Sequence, residues 1–312
     1  MEDRLKRIVI SEFMDAPAVA RLGKRFDVDY RPGLVDDAAA LAAAVPSADG
    51  WIVRNRTQVR GALLQAAARV RVIGRLGVGL DNIDVPACDA RGIRVIPASG
   101  ANAESVAEYV IAMALALLRG AYLSTPDVAA GKWPRQALSA GREAAGKTLG
   151  LVGFGSIGRI TASKAAALGM RVAGHDAQLA DEDPAWARWH ARPLSLDALL
   201  AESDVVSLHL PLTPQTRGLF GRERLARMKR GAILVNTARG GIVDEAALAR
   251  LLHEGHLGGA ALDVFGAEPL AAGSPLAGAP NLVLTPHIAG LTLEANERVS
   301  TVIAEKVAEA LA

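Results

Sequence analysis

The 312-residue sequence contains one cysteine, Cys88, so an intrachain disulfide and any cysteine-built metal cluster are excluded. Cys88 itself reads as a half-buried helix residue. Aromatic residues are scarce, at 4%. The net charge is only +2, and the basic residues are scattered without interleaved aromatics, which argues against a nucleic-acid partner. Long hydrophobic runs are missing too. The longest, Tyr109 to Leu118, falls far short of the roughly 20 residues that span a bilayer, so no membrane partner is expected. Met1-Glu2-Asp3-Arg4 carries acids and leads into a brief apolar stretch, unlike a signal peptide, and a cytoplasmic location is expected. No internal repeat, low-complexity segment or disordered tail is visible. No His/Asp/Glu grouping has metal-ligand spacing, so no metal is expected.

What is present is an apolar content of 51% against 22% charged residues, the composition of a globular protein with about two cores. Short β-like runs alternate with helical patterns, which predicts βαβ units in an α/β fold. Arg7–Ile10, Trp51–Val53, Val72–Gly74 and Ile93–Ile96 read as strands of one parallel sheet, with helices such as Asp37–Val45 and Gln58–Ala68 between them. A second series of six strands runs through Thr148–Val152, Met170–Gly174, Asp204–Leu208, Ala232–Val235, Gly259–Leu262 and Leu282–Leu284. Asn102–Arg119 has helical apolar spacing and few charges, as a helix buried between domains or subunits would. Leu293–Ala312 is a final helix pattern. If it returns to the first domain, the chain crosses twice and forms a hinged cleft. The expected architecture is two Rossmann-like doubly wound parallel-sheet domains with a cleft between them. Residues 1–100 plus 289–312 form a substrate-binding, flavodoxin-like domain, and residues 101–288 an NAD-binding Rossmann domain.

The apolar run Leu149–Val152 opens into Gly153-Phe154-Gly155-Ser156-Ile157-Gly158, a G-x-G-x-x-G turn between a strand and a helical pattern (Ile157–Leu168). Such a turn brings backbone amides and a helix N-terminus against a pyrophosphate. The next strand ends at His175-Asp176, and Asp176 lies 18 positions after Gly158, where an acid can accept from an adenosine ribose. A carboxylate there repels the 2′-phosphate of NADP. Asp181, Glu182 and Asp183 follow with no nearby Arg or Lys, so NAD is the expected cofactor.

Three polar residues follow strand-like runs of the second domain: Arg239, Glu268 and His287. Ligands of open α/β sheets bind outside the carboxyl ends of the strands, where the three can converge. Reduction of a 2-keto acid puts hydride on the carbonyl carbon and a proton on its oxygen. Histidine supplies that proton near neutral pH, and a neighbouring carboxylate orients the ring and favours its protonated form. Arginine grips the substrate carboxylate through its planar fork. His190, His253 and His256 read as surface or helix-end residues.

Over nearly its full length the sequence resembles the D-isomer-specific 2-hydroxyacid dehydrogenases. The matching pieces are Gly77–Asp84, Asn102 with Ser105–Glu108, Gly153–Gly158, His209–Thr213, Asn236–Gly241, Leu262–Phe265 through Glu268-Pro269, and Thr285–His287. The resemblance implies that His287 is the acid/base, that Glu268 sustains it, and that Arg239 binds the substrate carboxylate and carbonyl. It implies cofactor contacts from Gly153, Gly155, Ser156, Ile157, Gly158, Asp176, His209, Pro211, Thr216, Thr237, Ala238 and Ser105, with Asp263 holding the nicotinamide carboxamide. The amides around Val78 and Gly79, together with Asn102, are expected at the substrate carboxylate. A homodimer through the NAD-binding domains is the family's usual assembly. Ala177 replaces the proline often found after the ribose-binding acid. The sequence ends at the last helix pattern, so feedback by serine through an appended regulatory domain is not expected.

Within the family, Arg54-Asn55-Arg56-Thr57 resembles the R-x-R-T segment of some phosphoglycerate dehydrogenases, and the opening Ile10–Asp15 resembles sulfolactate dehydrogenases. Arg54, Asn55 and Arg56 are therefore candidates to grip a second anionic group on the substrate, or else a solvated basic cluster. Lys132 and Arg135 offer further cations. Two alternatives stand beside this one: a glyoxylate or hydroxypyruvate reductase, whose substrate carries no second anion, and a non-catalytic NADH-sensing binding protein.

Overall fold

The computed structural model describes residues 4–312. Met1–Asp3, which entered the signal-peptide reading, lie outside them. The chain divides into two compact units, Met1–Asn102 with Leu291–Ala312, and Ala103–Gly290. The sequence reading put these crossings at residues 100/101 and 288/289.

The first unit carries five strands: β1 (Arg7–Ile10), β2 (Asp27–Tyr30), β3 (Gly50–Val53), β4 (Val72–Arg75) and β5 (Arg94–Pro97). All pair in parallel, in the order β2-β1-β3-β4-β5, which is the flavodoxin-like order. Side chains alternate across the sheet. Ile8 and Ile10 pack with Val299, Ile303 and Val307 of helix Leu293–Leu311, while Val9 packs with Leu41, Trp51 and Val53 on the opposite face. Burial on both faces makes the central strands continuous apolar runs, which is why they are visible in the sequence. β2 was not anticipated. Its alternating acids mark an edge strand, and Asp29 is paired with Arg7 and Arg31, each at 2.8 Å. Cys88, on helix Val85–Ala90, is fully buried, deeper than expected, and burial pushes its thiol pKa up.

The second unit carries β6 (Thr148–Val152), β7 (Arg171–His175), β8 (Ala191–Pro193), β9 (Val205–Leu208), β10 (Ile233–Asn236), β11 (Gly259–Leu262) and β12 (Leu282–Leu284). The parallel order is β12-β11-β10-β9-β6-β7-β8, a Rossmann order extended by one strand. The added strand is β12, and the strand the sequence does not show is β8, which is short, lies at an edge and ends in Pro193. Leu149, Leu151, Ile233 and Val235 pack on helices Ala103–Arg119 and Ser156–Ala167. Val206, Leu208, Leu234 and Leu262 pack on the other face with Leu199 and Leu248. Helix Ala103–Arg119 thus spends its apolar face inside this unit, through Val110, Ala114, Leu117 and Leu118, where the sequence suggested a helix shared between domains or subunits.

Each sheet reverses its strand order once, between β1 and β3 and between β6 and β9. The carboxyl ends of those neighbours are where open α/β sheets bind ligands. No described helix is long and apolar enough to cross a membrane.

Candidate active site

In the second unit the loops after β10, β11 and β12 supply Arg239, Glu268 and His287. His287 Nδ1 lies 2.8 Å from Glu268 Oε2, and Glu268 Oε1 accepts from the Phe265 amide at 3.1 Å. Both side chains are partly exposed, at 42% and 36%, so the pair is accessible from solvent. The His287 backbone has φ 55°, an uncommon conformation for a non-glycine residue. Its amide donates to the carbonyls of Asp263 and Thr285 at 2.9 and 3.0 Å, which holds that conformation.

Asp263 is 1% exposed. Its Oδ1 accepts from Thr285 Oγ1 at 2.6 Å and from the Ile288 amide at 2.8 Å, and its Oδ2 accepts from the Ala289 amide at 2.8 Å. The carboxylate therefore grips the chain on both sides of His287. Tyr109 extends this network from helix Ala103–Arg119, its hydroxyl 2.6 Å from Thr285 Oγ1. Burial raises the Tyr109 pKa, so it stays a neutral phenol. Neither Tyr109 nor Thr285 stood out in the sequence as a supporting residue.

Arg239 sits on a loop braced by Asn236, whose Nδ2 donates to the Arg239 carbonyl at 3.0 Å and whose Oδ1 accepts from the Ala238 amide at 3.0 Å. The guanidinium also donates to the Ala238 carbonyl at 2.6 Å. A Cβ on Gly240 would overlap the Phe265 carbonyl. Only glycine lets the Arg239 loop lie against the loop that carries Glu268.

The glycine turn follows β6. A Cβ on Gly153 would stand 2.5 Å from the His209 carbonyl oxygen, and one on Gly158 2.5 Å from the Gly153 carbonyl oxygen, whereas Gly155 faces open space. Two glycines thus serve tight packing and the middle one leaves the backbone approachable. Helix Ser156–Ala167 begins there with no side-chain cap and no acid in its first turn, so the amides of Ser156, Ile157 and Gly158 are available to an anion. Asp176, just beyond β7, accepts from the Phe154 amide at 2.7 Å and the Gln178 amide at 2.9 Å, which fixes its carboxylate beside the turn.

His209 follows β9. Its Nε2 meets Ser207 Oγ at 3.0 Å, and its Nδ1 is buried without a partner among the described residues. Burial lowers its pKa to about 4, so the ring is neutral. Thr237 Oγ1, after β10, is likewise buried without a partner, and Ala238 beside it is buried. Such orphaned polar atoms are rare in folded proteins, and here they edge the switch point, as donors and acceptors awaiting a ligand would. The residues present therefore fit a dinucleotide. Thr216 spends its hydroxyl on its own turn, donating to the Pro211 carbonyl at 2.6 Å and accepting from the Thr213 amide at 2.8 Å. Ser105 is buried within helix Ala103–Arg119.

In the first unit, the amides of Val78 and Gly79 make no hydrogen bond among the described residues, and Val78 is exposed. Asn102 Oδ1 is buried without a partner among the described residues. Arg54, directly after β3, is half-buried. Its Nη2 donates to Asn296 Oδ1 at 2.6 Å, and its guanidinium lies 5.7 Å from the centre of the Phe13 ring. Arg56 is exposed and paired with Asp36. Asn55 is exposed between them. Asp36, Asn296, Glu12 and Asn82 all touch this loop, and no sequence motif singled out their contacts.

Residues 111–289 match the family described as D-isomer specific 2-hydroxyacid dehydrogenase, NAD binding domain. Over 304 residues the chain is 53% identical to the (S)-sulfolactate dehydrogenase of Chromohalobacter salexigens, covering 97% of this chain and 98% of that protein. It is 42% identical to the D-3-phosphoglycerate dehydrogenase of Mycobacterium leprae over 98% of this chain, and spans 57% of that longer protein. Among solved structures, the D-lactate dehydrogenase of Aquifex aeolicus, complexed with NAD and lactic acid, matches with a TM-score of 0.84 at 31% identity, over 97% of this chain and 94% of that one.

Proposed function

The chain belongs to the D-isomer-specific 2-hydroxyacid dehydrogenases, and we propose that its substrate is a 2-hydroxy acid bearing a second anion, of the sulfolactate or phosphoglycerate kind. The observation that carries the chemistry is the 2.8 Å contact between His287 Nδ1 and Glu268 Oε2. With Nδ1 committed to the carboxylate, Nε2 is left to exchange a proton with the substrate oxygen. NAD, when bound, supplies or accepts the hydride. Arg239 holds the carboxylate next to the reacting carbon. In reduction, protonated His287 gives its proton to the carbonyl oxygen as Glu268 steadies the imidazolium.

The glycine turn and the N-terminal amides of helix Ser156–Ala167 take the pyrophosphate, and Asp176 takes the ribose hydroxyls. The fixed Asp176 carboxylate disfavours a 2′-phosphate, so NAD is preferred over NADP. The second anion falls to Arg54 and Arg56, on a loop at the switch point of the first sheet. One observation favours the glyoxylate or hydroxypyruvate reductase reading: both guanidiniums already have partners, in Asn296 and Asp36.

Initial rates of NADH oxidation against 3-sulfopyruvate, 3-phosphohydroxypyruvate, hydroxypyruvate and glyoxylate test the proposal. The expected result is a kcat/KM at least tenfold higher on one of the two acids with a second anion. Equal rates on all four would support the general reductase. Turnover of none, with NADH still bound, would support a binding protein.

The same proposal includes a homodimer through the NAD-binding units and a cytoplasmic location. Exposed Tyr122, Val128 and Trp133 support the dimer, as apolar side chains that association would cover. Sedimentation at the dimer mass checks it, and a monomer at micromolar concentration would contradict it.

A further inference from the structure

Glu12 is 4% exposed, and no cationic side chain bonds it among the described residues. A buried carboxylate needs compensation, and here three backbone amides bond it while the charges of Arg54 and Arg56 act on it through space. Oε1 accepts from Arg54 N at 2.8 Å and Thr57 N at 3.0 Å, and Oε2 accepts from Arg56 N at 3.1 Å. The carbonyls of the same turn are gripped from the other side, since Asn82 Nδ2 donates to Thr57 O at 2.7 Å and Arg54 O at 3.3 Å. Ser11 Oγ meets Thr57 Oγ1 at 3.1 Å and accepts from Trp51 Nε1 at 3.2 Å. A turn outside regular structure is thereby fixed in both its donors and its acceptors.

Glu12 lies just beyond β1 and the turn just beyond β3, and these strands are the neighbours at the switch point of the first sheet. The turn carries both arginines. Arg54 is directed by Asn296 and Phe13, and exposed Arg56 can exchange Asp36 for a ligand oxygen. A carboxylate so near a site for anions costs affinity through repulsion, so its presence calls for a geometric return. Two guanidiniums on one turn grip a phosphate or sulfonate only while their backbone origins stay fixed.

We infer that Glu12 is a positioning residue for the distal-anion subsite, holding the amides of Arg54, Arg56 and Thr57 so that both guanidiniums meet one tetrahedral anion. This rests on the second-anion reading above.

Glu12→Gln keeps the shape of the side chain. Its oxygen can still accept from Arg54 and Thr57, but its amide nitrogen then faces the Arg56 N–H, donor against donor. The expected result is a KM for 3-sulfopyruvate and 3-phosphohydroxypyruvate raised about tenfold or more, with glyoxylate KM and kcat changed less than threefold. Glu12→Asp, which keeps the charge and loses reach, is expected to show the same split at smaller size, and it decides the question if the glutamine variant does not fold. Parallel losses on both classes of acid, or no loss on either, would overturn the inference. If wild-type protein shows no preference for the acids with a second anion, the second-anion reading fails. If that preference exists and survives both substitutions, only the role of Glu12 fails.

Discussion

His287 Nδ1 and Glu268 Oε2 are 2.8 Å apart although their loops leave different strands, β12 and β11. The contact orders the ring from a neighbouring strand end rather than from its own loop. His287→Ala is expected to lower kcat by about two to four orders of magnitude, the range for a general acid–base residue. Glu268→Gln places an amide that can donate to Nδ1 and so select the wrong tautomer. It is expected to lower kcat about a hundredfold or more with KM for NADH unchanged. Steady-state rates on the best substrate of the panel check both. A kcat for His287→Ala within fivefold of wild type would remove the histidine from the mechanism.

The glycines of the cofactor turn separate binding from packing. Gly155 faces open space, so Gly155→Ala should leave the fold intact while its methyl occupies the approach to the backbone amides. The expected outcome is a melting temperature within about 3 °C of wild type and NADH binding weakened at least tenfold. Gly158→Ala drives a Cβ to 2.5 Å from the Gly153 carbonyl and should destabilise the protein by about 1–3 kcal/mol, the cost of overpacking. Melting curves and NADH fluorescence titrations on both variants distinguish the two roles. Loss of stability in Gly155→Ala without loss of NADH affinity would reverse the assignment.

The sequence was informative wherever burial on both faces forced continuous apolar runs. β1, β3, β4 and β6 are visible for that reason, as are β9, β10 and β11. The two missed strands, β2 and β8, are sheet edges where the pattern breaks. β2 alternates Asp with Val and Tyr, and β8 is Ala-Arg-Pro. The polar residues at the strand ends were legible because their types match one chemistry and each follows an apolar run. Their supports were not. Glu12 and Asn82 both lie within matched segments, yet they are 42 and 28 positions from Arg54, and neither segment shows that these side chains satisfy the backbone of another loop. The contact of Gly240 with Phe265 is equally silent, because a sequence does not show which two loops touch. The threefold engagement of Asp263 becomes visible only when the chain after β12 returns past the end of β11.

Burial of His209 sets a pH limit on stability. Its pKa in the folded protein is lowered from 6.5 to about 4, so the unfolded chain binds one more proton between those values. Stability from this group is complete above pH 6.5 and is lost as pH falls toward 4, by up to about 1.4 kcal/mol per pH unit. His209→Gln should be less stable at pH 7, yet its stability should fall less steeply than wild type between pH 6.5 and 4.5. Urea denaturation at several pH values checks the difference in slope. Identical slopes would mean that the ring is solvated in the folded protein.

Asp263 distinguishes two roles for one carboxylate. The family resemblance gives it the nicotinamide carboxamide, while Thr285 Oγ1 and the amides of Ile288 and Ala289 already occupy three of its acceptor positions. A carboxylate has about four such positions, so one remains on Oδ2 for an external donor. The three internal bonds bracket His287, and losing them would release its backbone from the φ of 55° that sets where the ring starts. Asp263→Asn replaces one acceptor oxygen with a donor that confronts a backbone N–H. If the anchor role dominates, kcat falls by tenfold or more and the melting temperature drops, with NADH affinity within threefold of wild type. If the carboxamide role dominates, NADH affinity falls by tenfold or more and the melting temperature of the free protein is unchanged. The three bonds within the chain make the first outcome the expected one. Measuring NADH affinity and melting temperature on the same preparation separates the roles without relying on turnover.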